Sequence, residues 1–233
     1  MPTVAPDLGL VGNKALPDEV YHKLVDMLSW GSLEPDARLS IEVLSKMLGV
    51  SSTPVREALA RLEATGLVRR TARIGYRVSP LMSKDQMREL LDARLVLETG
   101  AIERAMGRVD ELLPDLEAAY AKHRTSTELL RAADPAKRPE LLRQYFEDDW
   151  SFHEAILRHC GNRYIAQGVD ALSFRVHRMR QTIGAGTDDA PLALAEHGKI
   201  LDAVRTGDRV AAVAAMRAHL ADLQSRVDHN HQN

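Results

Sequence analysis

Residues 48–70 read LGVSSTPVREALARLEATGLVRR, and this stretch decides the architecture. Gly49 stands where a helix C-cap wants positive φ. Ser51 and Ser52 are candidate N-caps, and Pro54 takes an early helical position where its missing N–H costs nothing. The helix that follows carries Val55, Leu59 and Leu62 on one side with Arg56 and Arg61 elsewhere, and it stops at Gly66. A helix that only filled a core would need neither small polar residues at its start nor cations past its end.

Working outward, Val20, Leu24, Met27 and Leu28 mark a helix from Pro17 to near Gly31. LEPDARLS (33–40) reads as a turn, with Ser40 capping a helix that carries Val43, Leu44, Met47 and Leu48. Downstream, LVRRTARIGYRVSP (67–80) reads as two short strands around a tight turn at Ile74-Gly75, closed by Pro80. Helix, helix, turn, helix and β-hairpin within about sixty-five residues is the order of a winged helix-turn-helix. That unit spans 16–80, after a loose arm over 1–15 that holds two prolines and two glycines... of which Pro2, Pro6, Gly9 and Gly12 are the breakers. Residues 84–228 show helical periodicity and no convincing strand, with helices expected at 83–107, 110–131, 138–159, 161–182, 190–206 and 208–228. The expected fold is mainly α: an N-terminal winged helix-turn-helix and a C-terminal all-α bundle of about six helices.

The chain of 233 residues is 45% hydrophobic and 27% charged, which argues against disorder. Aromatics are only 4%, so the helices must pack through aliphatic side chains. Cys160 is the one cysteine, so no intrachain disulfide can form. The sequence has no run of eighteen apolar residues and no basic segment leading into an apolar one at its start. A cytoplasmic protein without a membrane partner is expected.

The formal net charge is −2, so any nucleic-acid surface must be local. Between Val50 and Pro80 stand six arginines (56, 61, 69, 70, 73, 77) against Glu57 and Glu63, a local charge of +4. That is the footprint of a phosphate-facing surface. The second helix of a helix-turn-helix enters the major groove with its N-terminal residues near base edges. Here these are Ser51, Ser52, Thr53 and Arg56: hydroxyls allow close approach, and an arginine grips guanine through two acceptors. Arg69, Arg73 and Arg77 on the hairpin would bind backbone or reach the minor groove, while Arg61 and Arg70 read as plain surface charges. Residues 37–78 closely resemble the winged-helix domain of GntR-family bacterial transcription regulators, most specifically through GVSSTPVREAL. Many such regulators carry Arg where this chain has Ser52, and some a basic residue where it has Glu42, so the operator cannot be carried over from them. By the same resemblance Gly75 is the wing glycine.

A second constellation lies in the helical part. Asp149 and His153 are spaced i, i+4, on one helical face. His197 lies ten residues before the Gly207 turn and His219 twelve after it, so antiparallel helices at ~1.5 Å per residue bring them level, roughly 15–18 Å from the hairpin end. Three imidazoles and a carboxylate at matching heights suit Zn²⁺, Ni²⁺ or another borderline divalent ion. Structural histidines are commoner than ligands, and this reading competes with that one. Residues 84–228 resemble the all-helical FCD ligand-binding domain of the FadR subgroup, where Asp-x3-His followed by two histidines on the last two helices is the metal pattern of many members. The resemblance implies that Asp149, His153, His197 and His219 hold a divalent metal, Zn²⁺ first, and argues against the acyl-CoA-binding branch, which lacks these histidines.

Arg94 falls within the apolar face of Met87, Leu90, Leu91, Leu97 or Glu98, and Ala101. Burying a guanidinium is costly unless it is paired. It either bridges to Glu98 or points into the metal pocket to take an effector carboxylate, with Asn162 and Arg175 as weaker candidates for that pocket. The reading is a DNA-binding regulator, a repressor by resemblance, acting as a homodimer on a palindromic operator and tuned by a small carboxylate. Two alternatives stand beside it: a regulator for which the metal itself is the signal, and a metal-dependent enzyme with a DNA-binding head. No nucleophile motif, phosphate loop or separate general base supports the enzyme.

Overall fold

A computed structural model describes residues 15–29, 33–71, 75–134, 137–182 and 189–230. The arm, the turn at Ile74, Arg73 and the glycine-rich loop around Gly184 and Gly186 lie outside them. The chain divides into unit 1, Met1–Ser79, and unit 2, Pro80–Asn233.

Unit 1 holds α1 (Ala15–Ser29), β1 (Arg38–Leu39), α2 (Ile41–Leu48), α3 (Ser52–Ala64), β2 (Val68–Thr71) and β3 (Gly75–Val78). Local chemistry sets the breaks. Ser40 accepts from the Val43 N–H at 3.4 Å, and Gly49 takes φ 68° at the end of α2. At the end of α3, Gly66 has φ 75°, and its N–H donates to Glu63 O while Leu67 N–H donates to Leu62 O. This pair of bonds is a Schellman motif. The apolar sides of α1 and α3 pack on each other through Val20, Leu24, Leu28, Val55, Leu59 and Leu62, all buried.

One expectation changes. LEPDARLS is a turn only as far as Asp36, at φ 63°; Arg38 and Leu39 then form a strand paired with β3. The sheet order is β1-β3-β2, all antiparallel. Two residues are too short to display the alternation that marks a strand, and the pairing partner lies almost forty residues on, at Tyr76 and Arg77.

Unit 2 is built of α4 (Lys84–Ala105), α5 (Val109–Arg131), α6 (Arg138–His159), α7 (Arg163–Thr182), α8 (Ala190–Arg205) and α9 (Arg209–Asn230), with a 3-10 turn at Met106–Arg108. α4 packs on α6, α7 and α9, while α5 packs on α6 and α8, and α8 on α9. Their shared core is aliphatic, with Phe152 and Trp150 among Leu112, Leu116, Ile156, Ile200, Met216 and Leu220. α4 begins with a capping box: Gln86 N–H donates to Ser83 Oγ at 3.2 Å, and Ser83 N–H donates to Gln86 Oε1 at 2.9 Å. Ser83→Ala is expected to cost unit 2 about 1 kcal/mol, read as a lower urea midpoint at unchanged slope.

Candidate metal centre and nucleic-acid interface

Five helices of unit 2 turn polar side chains into its core. α4 supplies Arg94 and Glu98, α5 His123, α6 Asp149 and His153, α8 Glu196 and His197, and α9 His219. Each is at most 8% exposed, so every polar atom among them must find a partner inside the protein.

The pairing is specific. Arg94 donates from Nε to Glu98 Oε1 at 2.6 Å, and the other Glu98 oxygen lies 2.6 Å from His153 Nδ1. Burial alone would raise the Glu98 carboxyl, but the charges and hydrogen bonds of Arg94 and His153 hold it well below the usual carboxylate range. An ionised carboxylate only accepts, so His153 Nδ1 must donate. Glu196 does the same for His219, with Oε2 2.7 Å from His219 Nδ1. Its own carboxyl is raised by burial and brought below the ordinary range by His219 and by Arg226, which donates at 2.6 and 3.1 Å. Burial, then the neighbouring His219, keeps the His197 imidazole well below its ordinary range, with Asp149 opposing. Burial likewise lowers His219, against the pull of Glu196. His197 and His219 are therefore neutral near pH 7, the state in which imidazole binds a metal.

Proton placement on Nδ1 leaves Nε2 with a lone pair. The Nε2 atoms of His153, His197 and His219 are buried and have no hydrogen-bond partner among the described residues, and one ring nitrogen of each of these histidines lies within 4.8 Å of one from each of the other two. Three buried imidazoles grouped so closely, two of them backed by a carboxylate, are a donor set that fits a borderline divalent ion. A second set, His123, Asp149 and His197, satisfies the same 4.8 Å limit. Thus Asp149, His153, His197 and His219 lie in one core, but as two overlapping triads that share His197, and the second triad includes His123, which is not among the ligands expected from the sequence. The signal was present: His123 continues the α5 stripe of Leu112, Leu116 and Ala119 at helical spacing, a titratable residue on a core face.

Arg94 makes the expected bridge to Glu98. Its Nε is spent on Glu98, while its two terminal nitrogens are buried without a partner among the described residues, and its guanidinium lies 5.4 Å from the Trp150 ring centre. Asn162 is placed elsewhere: its side-chain oxygen accepts from Tyr164 N–H at 3.0 Å and Ile165 N–H at 3.3 Å, capping α7. The side chain of Arg175 lies outside those described, although its backbone belongs to α7.

In unit 1, Ser51, Ser52, Thr53 and Arg56 are all exposed at the start of α3. Ser51 sits at the N-cap without making a side-chain cap bond, so its hydroxyl is not committed to the helix. Arg56 has no ion-pair partner among the described residues. Arg61 is more than a surface charge: it donates to Asp18 at 2.6 Å and lies 4.1 Å from the Tyr21 ring centre, tying α3 to α1. Across the sheet, Arg38 is opposite Arg77, and Arg77 opposite Arg69. Like charges in one row repel; Asp36 offsets them, accepting from Arg69 at 2.5 Å and, through its carbonyl, from Arg77 at 2.7 Å. Arg38 joins this row only through β1, a pairing that no local spacing in the sequence announces. Gly75 opens β3 at φ 95°, a conformation that favours glycine.

Residues 16–78 match the model of the gntR family of bacterial regulatory proteins, and residues 89–222 match the FCD domain. Among curated proteins, a Streptomyces ambofaciens "HTH-type transcriptional regulator in unstable DNA locus" is 34% identical, over 87% of this chain and 80% of its own. The gluconate operon transcriptional repressor of Bacillus licheniformis is 30% identical, over 85% of this chain and 79% of its own. Among solved structures, Escherichia coli McbR/YncC superposes with a TM-score of 0.76, covering 93% of this chain and 98% of its own. At 21% identity that likeness speaks for the fold alone.

Proposed function

The chain belongs to the gntR family of bacterial regulatory proteins, its DNA-binding segment followed by an FCD domain, and on that premise we propose that unit 2 binds a divalent metal ion and a small carboxylate metabolite that together set operator affinity. It is a transcriptional regulator and not an enzyme, and several of its relatives are named repressors. Among the described residues no helix is long and apolar enough to cross a membrane.

One observation supports the sensing role above the others: three buried Nε2 atoms without partners share the core of unit 2 with the similarly partnerless terminal nitrogens of Arg94, whose charge is felt by His219. Leaving such groups unmade costs ~1–3 kcal/mol each, so a core that keeps them together is arranged for something it binds. His153, His197 and His219 would hold the ion, with Asp149 as the carboxylate of the set. Imidazole and carboxylate donors suit Zn²⁺, with Ni²⁺ also acceptable. When bound, the ion would supply a positive charge for an effector carboxylate. Arg94, steered by Glu98, would donate to that carboxylate from its terminal nitrogens. Asn162 is spent on capping and adds less to the pocket.

At the other unit, the start of α3 would enter the major groove. Ser51, Ser52 and Thr53 permit close approach, Arg56 reads a base edge, and Arg69, Arg77 and Gly75 serve the wing. Arg73 would add a further wing contact, although it lies outside the described residues. Two such heads in a homodimer would read a palindrome. Effector binding then matters only if it prefers one dimer geometry, since equal affinity for both shifts nothing. Relief of repression is the expected sign.

Selection from a random duplex library by the purified chain, at stated salt, tests this reading. Enrichment of an inverted repeat is the expected outcome. Arg56→Ala is expected to abolish that selectivity, with a loss of ~1–3 kcal/mol for the bidentate contact, while salt-sensitive non-specific binding persists. Unchanged operator affinity would remove α3 from the interface. On the selected operator, small carboxylates are expected to release metal-loaded protein and not chelated protein. Release by metal alone would make the ion the signal.

A further inference from the structure

One imidazole in the core has no place in that reading. His153 and His219 each give an Nδ1–H to a carboxylate, but the Nδ1 of His197 faces another histidine: the Nδ1 of His123, at 3.1 Å. Two nitrogens at that distance share one proton, so one ring donates and the other accepts.

The remaining atoms decide the direction. His197 Nε2 has no partner, like the Nε2 atoms of His153 and His219, the two histidines with which His197 forms a candidate ligand group. A ligand nitrogen needs its lone pair, so a neutral His197 that binds through Nε2 keeps its proton on Nδ1 and donates. His123 Nδ1 then accepts, and the proton of His123 sits on Nε2, which lies 3.6 Å from Asp149 Oδ1. We infer that His123 is the positioning residue for His197: it fixes the ring's tautomer and aim as Glu98 and Glu196 do for the other two, and it faces Asp149 with its second nitrogen. This inference rests on the metal reading.

The surroundings hold both rings for that task. Phe152 stacks on His197 with centres 4.2 Å apart and planes 9° from parallel. Tyr145 packs against His123 at 5.2 Å. Ser126 and Thr127 donate to the carbonyl of His123 at 3.1 and 2.7 Å, so α5 can carry buried hydroxyls there without leaving them unmatched. Helices α5 and α8 approach closely because residue 198 is glycine: a Cβ there would meet Tyr120 Oη at 3.1 Å. A neutral histidine as backing also has a chemical sense. A third carboxylate would add negative charge to a core that already holds Glu98, Glu196 and Asp149.

The test is Zn²⁺ affinity of the full chain, by competition with a chromogenic chelator. His123→Phe is expected to bind Zn²⁺ about 10–100-fold more weakly, the usual effect of losing an outer-shell partner. His123→Asn, whose amide oxygen falls near the position of Nδ1, is expected to restore most of that loss. His197→Ala is expected to lose tight binding altogether. Wild-type affinity in His123→Phe would overturn the inference and leave the metal reading standing. Loss as complete as in His197→Ala, with no rescue by Asn, would make His123 a direct ligand and overturn it too. Wild-type protein that takes up no Zn²⁺ would overturn the metal reading itself. Long-range ¹H–¹⁵N imidazole spectra of the unaltered Zn²⁺-loaded protein keep the question open to test if His123→Phe does not fold. They are expected to show His123 as the Nε2–H tautomer; the Nδ1–H tautomer there would overturn the inference.

Discussion

Replacing His197 and His219 together by alanine is expected to abolish metal binding and the thermal stabilisation that comes with it. The two residues supply two of the three buried Nε2 donors, from the adjacent helices α8 and α9. A single imidazole with Asp149 cannot fill a site that asks for four donors. A ligand held only by the folded state adds RT ln(1 + [L]/Kd), about 2.7 kcal/mol when free ion stands at a hundred times Kd. For a unit of this size that is a rise of roughly 5–10 °C in Tm. The wild type should therefore melt higher with Zn²⁺ than with chelator, and the double variant should melt at one temperature in both. Comparing each protein with itself removes the separate effect of deleting two rings from the core. Full Zn²⁺ occupancy in the double variant would place the site elsewhere.

Glu98→Leu is expected to be the most destabilising single substitution in unit 2. Arg94 is 0% exposed and Glu98 2%, so solvent screens neither. Removing the carboxylate leaves a buried guanidinium without its Nε partner and His153 without an acceptor. Breaking a buried pair in this way typically costs ~3–5 kcal/mol, a large part of the stability of an ordinary domain. The companion variant Arg94→Met with Glu98→Leu removes both charges and should recover most of that loss, since apolar replacement of a whole buried pair is often neutral or better. Urea unfolding of the three proteins gives the numbers. A loss below about 1 kcal/mol in Glu98→Leu would mean that water or another group reaches Arg94, and the closed polar core would have to be redrawn. The recovered double variant carries a second use. Folded, and with no guanidinium at position 94, it should bind operator but fail to respond to any carboxylate.

Much of the fold could be read from short-range chemistry. The caps and stops of α2 and α3 depend on residues within one turn of each other: Ser40 with Val43, Gly49, and Gly66 with Glu63 and Leu62. So did the helices of unit 2, whose apolar stripes repeat every three or four residues. Where two neighbours competed for one face, periodicity could not choose. Leu97 and Glu98 differ by about 100° on α4, and only packing shows that Glu98 turns inward while Leu97 is partly exposed, its Cδ1 3.6 Å from where a Cβ on Gly168 would stand. The strand β1 escaped for a related reason, since two residues have no period of their own.

The polar core divides in the same way. Asp149 with His153, and His197 with His219 across the Gly207 turn, follow from helical rise and a short hairpin, and these distances are set by chain length alone. Local spacing and composition therefore set the order of elements, the basic character of the 50–80 segment and the residue types that meet in the helical unit. Long-range packing alone sets His123 against His197, backs His219 with Glu196, and splits the ligand candidates into two triads around a shared ring. Those contacts join α5 to α8 and α8 to α9 through the aim of particular side chains. That aim follows from how close whole helices pack, which depends on residues as far apart as Tyr120 and Gly198 and leaves no trace in any one stretch.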